Sequence, residues 1–364
     1  MSVHFRMSRL LLCLTAGLAN AAWAYPEYRV TVMGPANSTA TDINHYGVVT
    51  GDHQVTDTTR RGFFNRGAGV MYLGTLGGTS SNAVAINDKG HILGEWTTAA
   101  GQVRGFIYYA GTRRDIGVIP GRSTRYTDIN DGGFITANGG ATSVAGLRGF
   151  LRAPDGRFTD LGTLAHDDPV TTASALNNRN QVTGATGPWT FTDQPWRAFV
   201  WSAGAMRDLG DFGAAPNYGH AINACGQITG SLSVPGGPHH RVAYVYSHGR
   251  LMNIDARAAS AERDSAGTGI NCLGHVVGTS NHLSGFVYRG WRMQNLNALI
   301  DPALHWDIHA PQAINNAGQI AATATRHGVQ YAVRLDLIRP MLERAPEPDT
   351  TGELHTFQAE HGQH

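Results

Sequence analysis

Apolar and polar residues alternate along this chain in short bursts of about five residues, broken by Gly, Asn and Asp. That period of two predicts strands and turns and leaves little room for helix. One stretch shows the unit: Asp42-Ile43-Asn44-His45-Tyr46-Gly47-Val48-Val49-Thr50-Gly51. An aliphatic residue ends a strand, a polar turn follows, and a new apolar strand begins. The stretch recurs seven times, on Asn44, Asn87, Asn130, Asn177, Asn223, Asn271 and Asn315, at intervals of 43 to 48 residues. Three residues after each comes Gly47, Gly90, Gly133, Asn180, Gly226, Gly274 or Gly318. The pattern predicts a hairpin in which Asn bonds its own backbone two residues on. The fourth position takes a left-handed conformation, for which Asn is the usual substitute for Gly. The seven asparagines therefore read as turn formers.

Two further lines repeat. Arg61-Gly62-Phe63, Arg104-Gly105-Phe106, Arg148-Gly149-Phe150 and Arg197-Ala198-Phe199 are clear copies of one, and Val242-Ala243-Tyr244, Ser284-Gly285-Phe286 and Tyr331-Ala332-Val333 are weaker ones. A small residue beside an aromatic predicts close contact between strands and a ring filling the gap between sheets. The other line is Asp115-Ile116-Gly117, Asp160-Leu161-Gly162 and Asp208-Leu209-Gly210, degraded at Asn253 to Asp255 and Asn295 to Asn297. With the strand leading into each Asn, every unit holds four short strands. Such a sheet cannot bury both faces alone, so the copies must stack. An all-β fold follows: a seven-bladed β-propeller of four-stranded blades, which leaves no long open edge. Val30, Met33, Gly34, Ser38, Ala40, Ile43 and Asn44 match Leu73, Leu76, Gly77, Ser81, Ala83, Ile86 and Asn87 without a gap. The chain thus begins with the last strand of a unit, and its seventh unit lacks that strand, as a ring sealed by its N-terminal strand requires. An open β-solenoid is the alternative, and it gives no reason for this permutation.

These lines resemble the bacterial extracellular repeat family named for a His-Ala-Phe tripeptide. The strongest stretch is Tyr72-Leu73-Gly74-Thr75-Leu76-Gly77-Gly78-Thr79-Ser80-Ser81 running into Ala85-Ile86-Asn87. The tripeptide itself stands here as Arg-Gly-Phe or Arg-Ala-Phe. The resemblance implies an exported repeat protein and carries no catalytic residue.

The ends fit that expectation. His4, Arg6 and Arg9 precede an apolar run, Leu10 to Ala19, that is too short to span a bilayer. Ala22-Trp23-Ala24 is a small-x-small cleavage site, so residues 1–24 read as a signal peptide and the mature chain as starting near Tyr25. A lipid anchor on Cys13 is the rival, but Leu10-Leu11-Leu12 before it lacks the small residue such a site needs. Residues 25–339 then form one seven-repeat domain. Residues 340–364, with prolines, acids and no apolar period, read as a disordered tail. No later stretch is apolar enough to cross a membrane.

Two of the 28 basic residues lie in the leader, so the remainder nearly balance 27 acids. Nucleic-acid binding needs a basic face and is disfavoured. Lys89, the only lysine, reads as compositional bias. Cys225 and Cys272 are the only mature cysteines and lie in the same turn of consecutive units, which permits one disulfide if their Cα atoms fall within about 7 Å.

Residues the repeat does not require fall into two loop sets that open on the same face. Loops between units hold Arg122, Tyr126, His166, Asp167, Asp168, Tyr218, His220, Arg263, Asp264, His305, Trp306, Asp307 and His309. Loops between second and third strands hold His53, Trp189, Trp196, His239, His240 and His282. The inter-unit loops around His166 to Asp168, Tyr218 to His220, Arg263-Asp264 and His305 to His309 form the candidate ligand-binding face, because loops on a rigid scaffold carry binding. Solvated connectors are the plain alternative. His305, Asp307 and His309 alternate, so a strand would set them on one face as metal ligands need. Such spacing arises readily among 17 histidines, and no metal or cofactor is assigned. Asp167-Asp168 could serve a glycosidase pair, yet adjacent acids on a strand point apart. The tryptophans suit either a sugar platform or blade packing. No Gly-x-Ser-x-Gly elbow, His-Glu-x-x-His helix or phosphate loop is present.

The reading that follows is an exported binding or interaction scaffold, its partner a glycan, a cell-wall component or another protein. The alternative is a propeller hydrolase or lyase acting on polysaccharide. Export makes a direct prediction: N-terminal sequencing of protein recovered from outside the cytoplasm should start at Tyr25, and an intact Met1 would remove the leader from this account.

Overall fold

The computed structural model describes residues 26–140, 146–165, 169–188, 196–211, 216–234, 241–255 and 264–338. The signal peptide and tail read from the sequence lie outside them. The described residues form seven four-stranded antiparallel sheets. In blade 1 the strands run outward in chain order: Ser38–Ile43, Val49–Thr56, Thr59–Asn65 and Val70–Tyr72. Blades 2 to 6 repeat this order over 80–117, 123–160, 170–208, 217–253 and 265–295. Blade 7 takes three strands from 306–337, and its outermost strand is Tyr28–Val32. Tyr28 pairs with Leu337 and Val32 with Val333, so the N-terminal strand seals the ring as the sequence predicts. Inner strands of neighbouring blades touch all the way round, blade 7 on blade 1 included. The fold is a seven-bladed β-propeller.

The core lies between blades. Seven apolar clusters occupy the seven interfaces. The closing interface is built like the others, with Met33, Ala40, Ile43, Val49 and Phe63 against Ala321 and Ala332. The Arg-Gly-Phe line explains this packing. Its aromatic is buried at Phe63, Phe106, Phe199, Tyr244 and Phe286. Its small residue lets the next blade approach. A Cβ on Gly105 would meet the Tyr126 ring at 2.2 Å, and one on Gly62 would meet the Ala83 nitrogen at 2.7 Å. The backbone N–H beside it crosses the interface: Gly62 donates to Ser81 Oγ at 3.2 Å, Ala243 to Ser265 Oγ at 2.9 Å and Ala332 to Ser38 Oγ at 2.9 Å. The Arg of the line answers the Asp of the third line on the outer strand, as Arg104–Asp115 at 2.8 Å, Arg148–Asp160 at 2.9 Å and Arg197–Asp208 at 3.6 Å. These pairs are part-exposed, so each contributes at most about 1 kcal/mol.

The asparagines do more than form turns. Asn44 Oδ1 accepts from Tyr46 N at 3.1 Å and Val48 N at 3.0 Å, which holds the hairpin, and Gly47 takes φ 74°. Asn180 stands in for Gly at φ 57°. Each Asn also uses Nδ2 to reach the next blade. Asn44 donates to Asn87 O at 3.2 Å, Asn87 to Asn130 O at 2.9 Å and Asn130 to Asn177 O at 3.0 Å. Asn177 donates to Asn223 O at 3.1 Å, Asn223 to Asn271 O at 2.7 Å and Asn271 to Asn315 O at 3.1 Å. Asn315 then donates to Asn44 O at 3.0 Å and closes the circle. All seven side chains are buried.

Removing one should therefore cost a turn and an interface together. Asn271→Ala loses two bonds to Leu273 N and His275 N and one to Asn315 O. A loss of roughly 3 kcal/mol is expected, at about 1 kcal/mol per bond. Asn271→Asp keeps the acceptor and loses the donor, so it should be destabilised at pH 7 and recover toward pH 4, where the carboxyl can donate. Urea denaturation measures both. Wild-type stability of Asn271→Asp at pH 7 would show that the ring bond contributes nothing.

Candidate functional site

Each blade's inner strand carries a β-bulge three residues before its Asn, at Thr41, Val84, Thr127, Ser174, His220, Thr268 and Gln312. A bulge shifts the side-chain alternation that follows it. Blade 7 has a second bulge at His309. This corrects the expectation that His305, Asp307 and His309 share a strand face. His305 lies before the strand Trp306–Ile314, in a left-handed cap at φ 56°, with its ring 5.9 Å from that of His327. Trp306 packs edge-on against Tyr331 at 5.6 Å under the Arg326 guanidinium. Asp307 accepts from Asn297 Nδ2 at 3.2 Å. No group of three His, Cys, Asp or Glu among the described residues is placed to hold a metal. His309 instead borders a cleft of about 430 Å³ at the seam of blades 7 and 1, with Thr39, Thr41, Gln312 and Gln330.

Tyr218 and His220 do come together. They lie on the inner strand of blade 5, Asn217–Ile222. Trp196, from the loop before the third strand of blade 4, sets its ring 5.9 Å from Tyr218 at 33°. The Tyr218 and His220 rings are 6.4 Å apart at 22°. The three form a row of nearly aligned rings, half-buried throughout. His220 Nδ1 lies 3.0 Å from Gly267 O of blade 6, and burial pulls its pKa down, so the imidazole is neutral at pH 7. Beside the row, Arg241 grips Asp264 with two bonds, at 3.1 and 2.9 Å.

Other candidates are spent on packing. Tyr126 is buried and donates to Gly117 O at 3.1 Å. Arg122 covers Phe150 at 5.6 Å. His53 stacks on Tyr72, with Nδ1 2.8 Å from its hydroxyl. The backbone N–H of His282 donates to Ser280 Oγ. His166, Asp167, Asp168, Arg263, Trp189, His239 and His240 fall outside the described residues. Cys225 and Cys272 are free thiols. A hydrogen bond between the two thiols pushes the pKa of Cys225 up.

Four acids that bridge blades, Glu95 buried and Asp42, Asp52 and Asp128 half-buried, escaped sequence reasoning, which assigned no function to them. Asp42 accepts from Ile86 N at 2.9 Å, Asp128 from Leu176 N at 2.8 Å, Asp52 from Ala83 N at 2.8 Å and Glu95 from Tyr126 N at 2.8 Å. Each bond joins one blade to the next. The signal was present: Asp42 and Asp128 replace the Ala or Gly found at the same place in the other five copies. By area both are half-buried, yet protein surrounds them closely. Desolvation pushes Asp42 up to about 6 and Asp128 to about 8, the latter helped by the charge of Asp42. Asp52 is pushed to about 6 by burial, and Glu95 is raised for the same reason.

No protein-family model matches the chain, and no curated protein matches it by sequence. Solved structures do. The β-propeller domain of the Trilobed protease from Pyrococcus furiosus, which has an open velcro topology, aligns at TM-score 0.52 and 8% identity, over 86% of this chain and 98% of that one. YCF48 bound to D1 peptide aligns at 0.50 and 12%, over 86% and 98%. Virginiamycin B lyase from Staphylococcus aureus aligns at 0.50 and 9%, over 85% and 99%. At these identities the likeness is one of fold.

The bridging carboxyls set a pH dependence. Their folded pKa values exceed the unfolded value of about 3.9, so the folded chain binds these protons more tightly. Their contribution to stability is complete below about pH 4 and falls as pH rises through 6 and then 8. The urea midpoint should drop between pH 7 and 9, and Asp128→Asn should flatten that drop. An unchanged slope in the variant would refute the assignment to Asp128.

Proposed function

We propose that this chain is an exported scaffold that binds a neutral glycan on the face carrying the inter-blade loops. The observation that carries the reading is the row Trp196, Tyr218 and His220. Half-exposed rings in near alignment offer apolar faces to a pyranose, and the neutral imidazole and the Arg241–Asp264 pair supply hydrogen-bonding groups at its edge. The leader, and the resemblance of the repeats to the extracellular His-Ala-Phe family, support export. Among solved propellers of this shape are one bound to a peptide and one lyase, so the fold itself admits both binding and catalysis. Binding is favoured because Asp42, Asp52, Glu95 and Asp128 are committed to backbone N–H groups of the next blade.

A glycan array with protein from Tyr25 onward identifies the ligand. Trp196→Ala and Tyr218→Ala should each weaken it by on the order of tenfold, as loss of a stacking face implies. Full affinity in both folded variants would place binding elsewhere.

A further inference from the structure

On the opposite face, which carries the Asn turns, one place between blades 2 and 3 gathers cationic and aromatic side chains around a groove. This groove of about 590 Å³ runs outward from the turns, a volume within the usual range for ligand sites of roughly 300–1,000 Å³. Its apolar lining is Ile107 and Ile129. One wall is aromatic: the His91 and Tyr109 rings lie 4.5 Å apart, and Tyr109 is 50% exposed. Such exposure of a large ring on one side of a groove leaves a face open for stacking.

The charges there are unbalanced. Lys89 and Arg114 line the groove, and neither has an ion-pair partner among the described residues. Their neighbours of the same type are engaged. Arg113, the adjacent residue, turns to the Leu73 carbonyl and covers Tyr108, and Arg179, at the Lys89 position of blade 4, bonds Ala224 O. One acid, Asp131, borders the groove, so two cations face a single carboxylate, both of whose oxygens already accept hydrogen bonds. Its Oδ1 accepts from Asp88 N at 2.9 Å and its Oδ2 from Asn178 Nδ2 at 2.7 Å. Arg152, buried nearby, feels the repulsion of Arg114 against the opposing charges of Tyr126 and Asp155, and its Nε has no partner among the described residues. His91 is held neutral by burial and by the charges of Lys89 and Arg114, against the opposing charge of Asp131.

We propose that this groove is a second binding site, for a ring bearing a carboxylate. The ring stacks on Tyr109 and the carboxylate lies between Lys89 and Arg114. Lys89, whose presence as the only lysine reads from the sequence as bias, is then a ligand-binding residue. An acidic sugar and an aromatic acid share this chemistry, and the experiment separates them.

The test is isothermal titration of the full mature chain with oligogalacturonate and with 4-hydroxybenzoate, each beside its uncharged counterpart, galactose oligomer and phenol. At least one acid is expected to bind with a Kd below about 1 mM and its counterpart on the order of tenfold more weakly. The bound acid names the source. The double variant K89Q/R114Q, both sites being exposed, should melt like wild type and lose about tenfold in affinity for that acid. Y109A should weaken it as well. Binding of neither acid below about 10 mM, or equal binding by the double variant, overturns the proposal. The groove lies on the face opposite the aromatic row, so glycan-array binding by K89Q/R114Q should persist. The two readings therefore fail separately.

Discussion

The circle of asparagine amides is the constraint on which this molecule rests. One carboxamide holds its own hairpin with its oxygen and the next blade with its nitrogen. Neither task can be dropped without leaving buried polar groups unpaired. Because every donor finds the backbone carbonyl of the equivalent residue one blade on, the spacing between blades near the axis is set by the length of a side-chain amide. The apolar clusters fill what that spacing leaves. Loops of unequal length are then tolerated farther out, and intervals of 43 to 48 residues between asparagines produce equivalent blades.

Much of this was legible in the sequence, for a physical reason. Turns need particular residues at particular backbone angles, so Asn44 to Gly47 and its copies announce themselves. Closure was legible because a ring must account for every strand, and the match of Val30 to Leu73 exposed the displaced one. The donor half of each Asn was not legible, since a turn-forming Asn and a bridging Asn look alike in sequence. The bulges were hidden too. They insert a residue into an alternation without changing its composition, and the second bulge, at His309, undid a face inferred for His305, Asp307 and His309. The candidate site was half legible: Tyr218 and His220 were singled out as neighbours in sequence, but their alignment with Trp196 depends on how blades 4 and 5 meet.

The two faces differ in what the repeat leaves free. On the turn face each copy must supply Asn and Gly, so variation is confined to two positions per turn, such as Lys89 and Tyr46. On the loop face nothing in the repeat dictates residue type, so Trp196, Tyr218 and His220 can meet there. The bridging acids belong to neither face. Asp52 and Glu95 stand where Thr323 stands in blade 7, whose Oγ1 accepts from Ala40 N at 3.1 Å, while Asp42 and Asp128 cap the residue just before the next blade's Asn.

The seal of blade 7 also dictates an order of events. Thr31 Oγ1 bonds Asp336 Oδ2 across 305 residues of chain. A ribosome delivers Tyr28–Val32 some 300 residues before its partner strand Val329–Leu337. Throughout that interval the earlier strand has no mate, and the interface of Met33 and Phe63 with Ala321 and Ala332 is open. Loop closure over such a span is slow and entropically costly. The nascent chain therefore remains incomplete until its C-terminal strand emerges, and a truncated chain exposes the apolar edge that only its last strand can cover.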